Sequence, residues 1–156
     1  MSPVAPLAVH VPAPIREKRL VLRVLELWRQ ACAGDLVPRL GAVGEADGGE
    51  DAVHMFRIDL LHQAGPRFAY IGEALRIADW PDRSAALVAA CPEHSVLGLV
   101  GRCWPEIVER GVPVTRGGVA SNNGVSVLYR SVMAPLADER GRIAGILGAA
   151  NWRPVS

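Results

Sequence analysis

The residues of this chain that could do chemistry stand apart from one another. The four histidines are His10, His54, His62 and His94. His54 and His62 fall near opposite ends of one expected strand, so they cannot chelate one ion unaided. Cys32, Cys91 and Cys103 form no C-x-x-C pair. Their odd, dispersed arrangement argues against a disulfide framework or a zinc site and fits small buried hydrophobes in a reducing compartment. Covalent catalysis needs a nucleophile, a base beside it and a group that orients the base. Ser84, Ser95, Ser121, Ser126 and Ser131 all lack a G-x-S-x-G setting. Gly117-Gly118 and the Gly145, Gly148 pair do not open a helix after a strand, as a phosphate cradle must. The acidic run from Glu45 to Asp51 lacks calcium-loop spacing and reads as a solvated loop. No catalytic residue and no metal ligand is assigned, and an enzyme is not expected.

The elements that would position these residues follow from periodicity. Residues 15–33 place apolar Val21, Val24, Leu25, Trp28, Ala31 and Cys32 at spacings of three and four among charges, the pattern of an amphipathic helix. Pro14 suits its start and Gly34 its stop. Residues 34–52 mix glycine with acids, can bury little, and are expected to be a flexible loop. Val53–Leu61 alternates, a Gly65-Pro66 turn follows, and Arg67–Ile71 reads as a second strand on which Phe68 and Tyr70 share a face. Short helices are expected over 73–78, from Pro81 to about Cys91, and from a Ser95 cap to Gly111, with a break at Pro105. Three strands close the chain: 112–120, 125–136 and 142–152. The first two are joined through Asn123-Gly124, the strongest short hairpin signal. The small residues of the last strand mark a place where something packs closely.

Composition narrows the class. The chain has 156 residues, half of them hydrophobic, enough for one domain with a sizeable core. Its net charge is +1 and no basic stripe appears, so a nucleic-acid partner is not expected. No run reaches the roughly 18 apolar residues of a spanning helix, and the proline-broken stretch 1–14 lacks the basic region of a signal peptide. It reads as a disordered leader on a cytoplasmic protein without membrane contact.

The order of helix, hairpin, short helices and three-strand meander describes an α+β domain, and it is the order of the PAS fold. Residues 53–75 (VHMFRIDLLHQAGPRFAYIGEAL) resemble the opening hairpin and first short helix of PAS-like domains common in proteobacteria. VERGVPV at 108–114 resembles the long PAS helix entering the third strand. LYRSVMAPLADERGRIAGILGAAN at 128–151 resembles the last two strands. The likeness runs over residues 15–153, with the core at 53–153. It implies a five-stranded antiparallel sheet with helices on one face, preceded by an N-terminal amphipathic helix. It also implies sensing, dimerisation or protein docking without naming a ligand. A haem-binding PAS domain would set an axial histidine on a helix facing the cavity, whereas His94 stands at a helix entry. A PAS flavin photosensor carries its cysteine in an Asn-Cys-Arg type motif, which neither Ala-Cys91-Pro nor Arg-Cys103-Trp matches. Haem and covalent flavin are therefore disfavoured and the cofactor is left open.

Two residue sets carry the functional expectation. If the strands pair as supposed, Phe56, Ile58, Phe68, Tyr70, Val127, Tyr129 and Ile146 share a sheet face. Leu75, Val100 and Trp104 join from the helices. The set either lines a small-molecule pocket, with Tyr129, Arg130 and Asn151 as polar groups, or is ordinary core. The stripe Val21, Val24, Leu25, Trp28 and Cys32 either packs on its own sheet or pairs two copies as an isologous dimer. The expected function is a regulatory sensor that binds a small molecule, or signals by homodimerisation to a separate protein. The alternative is a ligand-free docking scaffold.

Overall fold

The computed structural model describes residues 13–78, 80 and 86–155. Helix α1 (Ala13–Cys32) leads, and β1 (Met55–Asp59) and β2 (Arg67–Ile71) follow as a hairpin. Two short helices, α2 (Val96–Gly101) and α3 (Trp104–Arg110), come next. The chain ends in the meander β3 (Val114–Asn122), β4 (Val125–Ala137) and β5 (Ile143–Pro154). All five strands form one antiparallel sheet in the order β2-β1-β5-β4-β3. The first and last strands of the core thus pair at its centre. This is the PAS-like arrangement that the sequence led one to expect.

Local chemistry sets the boundaries. Asn123 and Gly124 both take positive φ, 51° and 85°, the geometry a two-residue hairpin loop requires. Asp138 closes the second turn by accepting hydrogen bonds from the backbone N–H groups of Arg140 and Arg142, both at 2.9 Å. Ser95 caps α2, its hydroxyl accepting from the Gly98 N–H at 2.9 Å. Pro105 sits in the first turn of α3, where its missing N–H costs nothing, and Gly111 ends the helix at φ 68°. Elsewhere the expected helices are smaller. Residues 73–75 and 88–90 form single 3₁₀ turns, and the expected start at Pro81 lies outside the described residues.

The helices of the core, α2 and α3, lie on one face of the sheet as expected, and the N-terminal helix α1 covers the other. On the inner face, Phe56, Ile58, Phe68 and Ile146 pack against Val100 and Ile107 of α2 and α3. On the outer face, Leu20, Val21 and Val24 of α1 pack against Met55, Val132 and Leu147. Double coverage explains why residues 131–137 and 144–150 are buried without alternation. It also explains the small residues of β5. A Cβ on Gly148 would overlap the ring of Phe56, and one on Gly145 would stand 2.6 Å from Leu40.

Residues 34–52, expected to be a flexible loop, carry local structure and are tied to the rest of the domain. It holds 3₁₀ turns at 40–42 and from Glu45 into the start of β1, and Val43 is fully buried against the outer core. Its carbonyls have fixed partners. The Arg57 guanidinium donates to Val43 O at 2.6 Å and Leu40 O at 2.7 Å, and the Tyr70 hydroxyl donates to Ala52 O at 2.9 Å. Arg23 of α1 grips Asp51 through two bonds of 2.7 and 2.8 Å. These donors lie far away in sequence, so local composition could not announce them.

The Phe56–Gly148 contact generates a sharp prediction. Gly148→Ala inserts a methyl into a filled space between paired strands and should cost about 2 kcal/mol or more of stability. Urea unfolding measures it through a lowered midpoint at unchanged slope. A loss below about 0.5 kcal/mol would mean that the ring moves aside freely.

Candidate functional site

Seven of the eleven expected pocket residues meet and are buried on the inner face: Phe56, Ile58, Phe68, Leu75, Val100, Val127 and Ile146. Trp104 and Tyr129 stand half-buried at its rim. Tyr70 and Asn151 do not join them. Between Arg57 and Ile58 the β1–β2 register skips Ala69, so Ile58 faces Phe68 while Arg57 faces Tyr70. The extra residue turns Phe68 and Tyr70 to opposite faces, as a β-bulge does, and Tyr70 packs on the outer cluster. Asn151 pairs with Arg130 and alternates with the inward Ala150 and Trp152, which places it on the outer side too. Sequence reasoning missed Trp80, which continues the aromatic set. Phe56 meets Phe68 edge to face at 5.8 Å, and Phe68 meets Trp80 at 6.0 Å. Pattern gave no signal for Trp80, because it lies between elements.

These rings pack closely against glycine backbone. Phe56 lies on the bare backbone of Gly148, and a Cβ on Gly101 of α2 would come within 2.9 Å of Phe68 Cζ. Helix and sheet therefore approach through glycines with aromatic rings between them. The nearby polar groups are modest. Burial raises the Tyr129 hydroxyl above the usual tyrosine range. Glu106 on α3 is paired with Arg116 and Arg110, and their hydrogen bonds hold its carboxyl below the usual carboxylate range. Ser95 is committed to its cap, also donating to Pro92 O at 2.7 Å. Ser131 is buried and donates to Arg116 O at 3.3 Å. His54 contacts Ala150 O through Nδ1 at 3.2 Å and meets Trp152 edge-on at 5.9 Å, so it serves packing. His94 is exposed and its carbonyl accepts the Ser121 N–H at 2.8 Å. Among the described residues no three His, Cys, Asp or Glu side chains converge as metal ligands, and no helix is long and apolar enough to cross a membrane.

The outer face looks different. Val21 and Val24 are buried on the chain's own sheet, and the Trp28 indole N–H donates to Pro135 O at 2.7 Å. The stripe expected as a possible dimer contact is thus already covered, with Leu25 and Cys32 half-buried along it. The helix finds room because α2 and α3 occupy only the other face. Beside α1 runs an open groove of about 290 Å³, lined by Val21, Leu22 and Leu25 on one side and by Thr115, Arg116, Gly117, Arg130 and Ser131 on the other.

No family model matches the chain, and no curated protein matches it. Among solved structures it is similar to the light state of the blue-light photoreceptor Aureochrome1 LOV, at 15% identity and a TM-score of 0.45, over 66% of this chain and 87% of that one. It is similar to VqmA bound to DPO at 14% identity and 0.48, over 66% of this chain and 53% of that one. The Cys71Ser mutant of Vivid gives 16% and 0.45, over 72% and 86%. The class of the fold is PAS-like, an α+β domain built on a five-stranded antiparallel sheet.

Cys91 offers a test of the inner face. It is buried, near Ser95 Oγ at 3.8 Å, and burial pushes its thiol up from 9.0 to about 11. Such a thiol is a poor nucleophile at neutral pH, so Cys91 should be the last of the three cysteines alkylated by iodoacetamide, read by peptide mass spectrometry. The fold favours its neutral form. Its stability contribution is therefore complete below pH 9 and lost as pH rises through about 11. The unfolding free energy should fall over that window by roughly 2 kcal/mol more in the natural protein than in Cys91→Ala. Equal slopes would show that the thiol is not desolvated.

Proposed function

We propose that the chain is a regulatory PAS-like domain that acts by docking a separate signalling protein. The observation that carries this reading is the close packing on the inner face, where Phe56 lies on Gly148 and Phe68 against Gly101. A ligand sensor needs that space for its ligand, since such pockets are concave and largely preformed. The exposed apolar side chains lie elsewhere. Leu22 on α1 and Val119 on β3 are each 62% exposed, and apolar surface left in water beside an open groove suits a protein contact. Homodimerisation through the stripe Val21, Val24 and Trp28 is not part of this reading, because their own sheet holds those residues.

The test is native mass spectrometry of protein purified from its own host, followed by denaturing mass spectrometry of the same sample. The protein's own mass, without adduct, is the expected result in both. A discrete extra mass released on denaturation would sink the docking reading and restore the small-molecule sensor.

A further inference from the structure

We infer that the free edge of β3, together with the groove beside α1, binds an extended segment of a partner protein that carries a carboxylate between apolar residues. Among the described residues strand β3 is an edge strand, paired only with β4. In an antiparallel strand alternate residues direct both N–H and C=O to the same side. The Ser121 N–H leaves the sheet to reach His94 O. Val119, Gly117 and Thr115, in phase with it, therefore direct their backbone groups outward. Among the described residues nothing bonds to those groups. Natural edges are usually blunted by proline, bulges or inward charges. Here the β3–β4 register runs unbroken from Val114 to Asn122, no proline interrupts it, and the one charge of β3, Arg116, is neutralised by Glu106. An unpaired, regular edge is the template for strand addition.

The groove states what the added strand carries. Alternate side chains of that strand would face the outer side, level with Thr115, Gly117 and Val119. Gly117 has no side chain to block the way, and the Arg130 side chain lies across it, with its guanidinium 3.0 Å from where a Cβ would stand. The charged residues that line the groove are Arg116 and Arg130. Arg116 is held by Glu106. Arg130 is exposed and makes no hydrogen bond or ion pair among the described residues. A carboxylate on the added strand opposite Gly117 would meet this guanidinium, a charge-assisted pairing. Its neighbours on the same face would meet Leu22 on one side and Val119 on the other. A second copy of β3 paired about Gly117 fits less well, because it would bring two Arg130 guanidinium groups together with no acid between them.

This assignment rests on the docking reading and can fail separately from it. The probe is a fluorescent nonapeptide of alternating Val and Ser with Glu at its centre, titrated against the full chain by anisotropy, with a central-Lys peptide beside it. The Glu peptide should bind at least about tenfold more tightly than the Lys peptide. Arg130→Glu should reverse that order. Val119→Pro removes an outward N–H without breaking a ladder bond, so it should abolish binding of both peptides while circular dichroism stays unchanged. Equal binding of the two peptides, no binding of either, or full binding by Val119→Pro would each overturn the assignment. So would a dimer in sedimentation that Val119→Pro dissolves, since the edge would then belong to a second copy. If the peptides fail while the native mass is free of adduct, only the acidic-strand assignment falls. An adduct would count against the docking reading itself.

Discussion

The structure depends on a close approach at the centre of its sheet. β1 and β5 come from opposite ends of the core in sequence, and they pair Phe56 with Gly148 and Ile58 with Ile146. The Phe56 ring can lie flat on the strand only because residue 148 has no side chain. One face of that pair then meets α2 and the other meets α1. A strand pair sandwiched in this way must be apolar on both faces and small where rings or helices press on it, and β5 is built of Gly, Ala, Ile and Leu through its middle.

That constraint also sets which strands stay open to solvent. On the inner face of the central strands Phe56, Phe68 and Trp80 interlock edge to face. The coverage thins toward β3. Its residues from Thr115 to Val119 are exposed, and α1 borders that edge without closing over it, leaving the groove. The same helix that completes the outer core thus forms one wall of the surface proposed for docking. The two sides of α1 differ: Leu20, Val21 and Val24 face the sheet, while Leu22 faces water.

Periodicity and turn chemistry were sufficient for much of this. The amphipathic stripe of 15–33 foretold a helix with one buried side. Asn123-Gly124 foretold the hairpin, Ser95 the cap and Gly111 the helix end, because each depends on backbone preferences of residues close in sequence. Most of the inner-face set was legible for the same reason, since a period of two assigns faces along an unbroken strand. Where the strand is broken, the rule failed. The skipped Ala69 sends Tyr70 to the far side, and no composition marks that bulge in Arg67-Phe68-Ala69-Tyr70. Asn151 was misplaced through grouping with inward residues, although its alternation with Ala150 and Trp152 could have corrected it.

Local preferences were enough for the α+β class, the order of elements, the turns and the makeup of the two apolar surfaces, because these follow from interactions within a few residues. The folded structure settles which surface α1 covers, ties residues 34–52 to Arg57, Arg23 and Tyr70, seats Phe56 on Gly148, and leaves Arg130 without a partner among the described residues. Those outcomes depend on residues brought together from distant parts of the chain, such as Trp28 with Pro135 and Arg23 with Asp51. A one-dimensional pattern carries the preference of each residue, but it does not carry the identity of the neighbour that satisfies it.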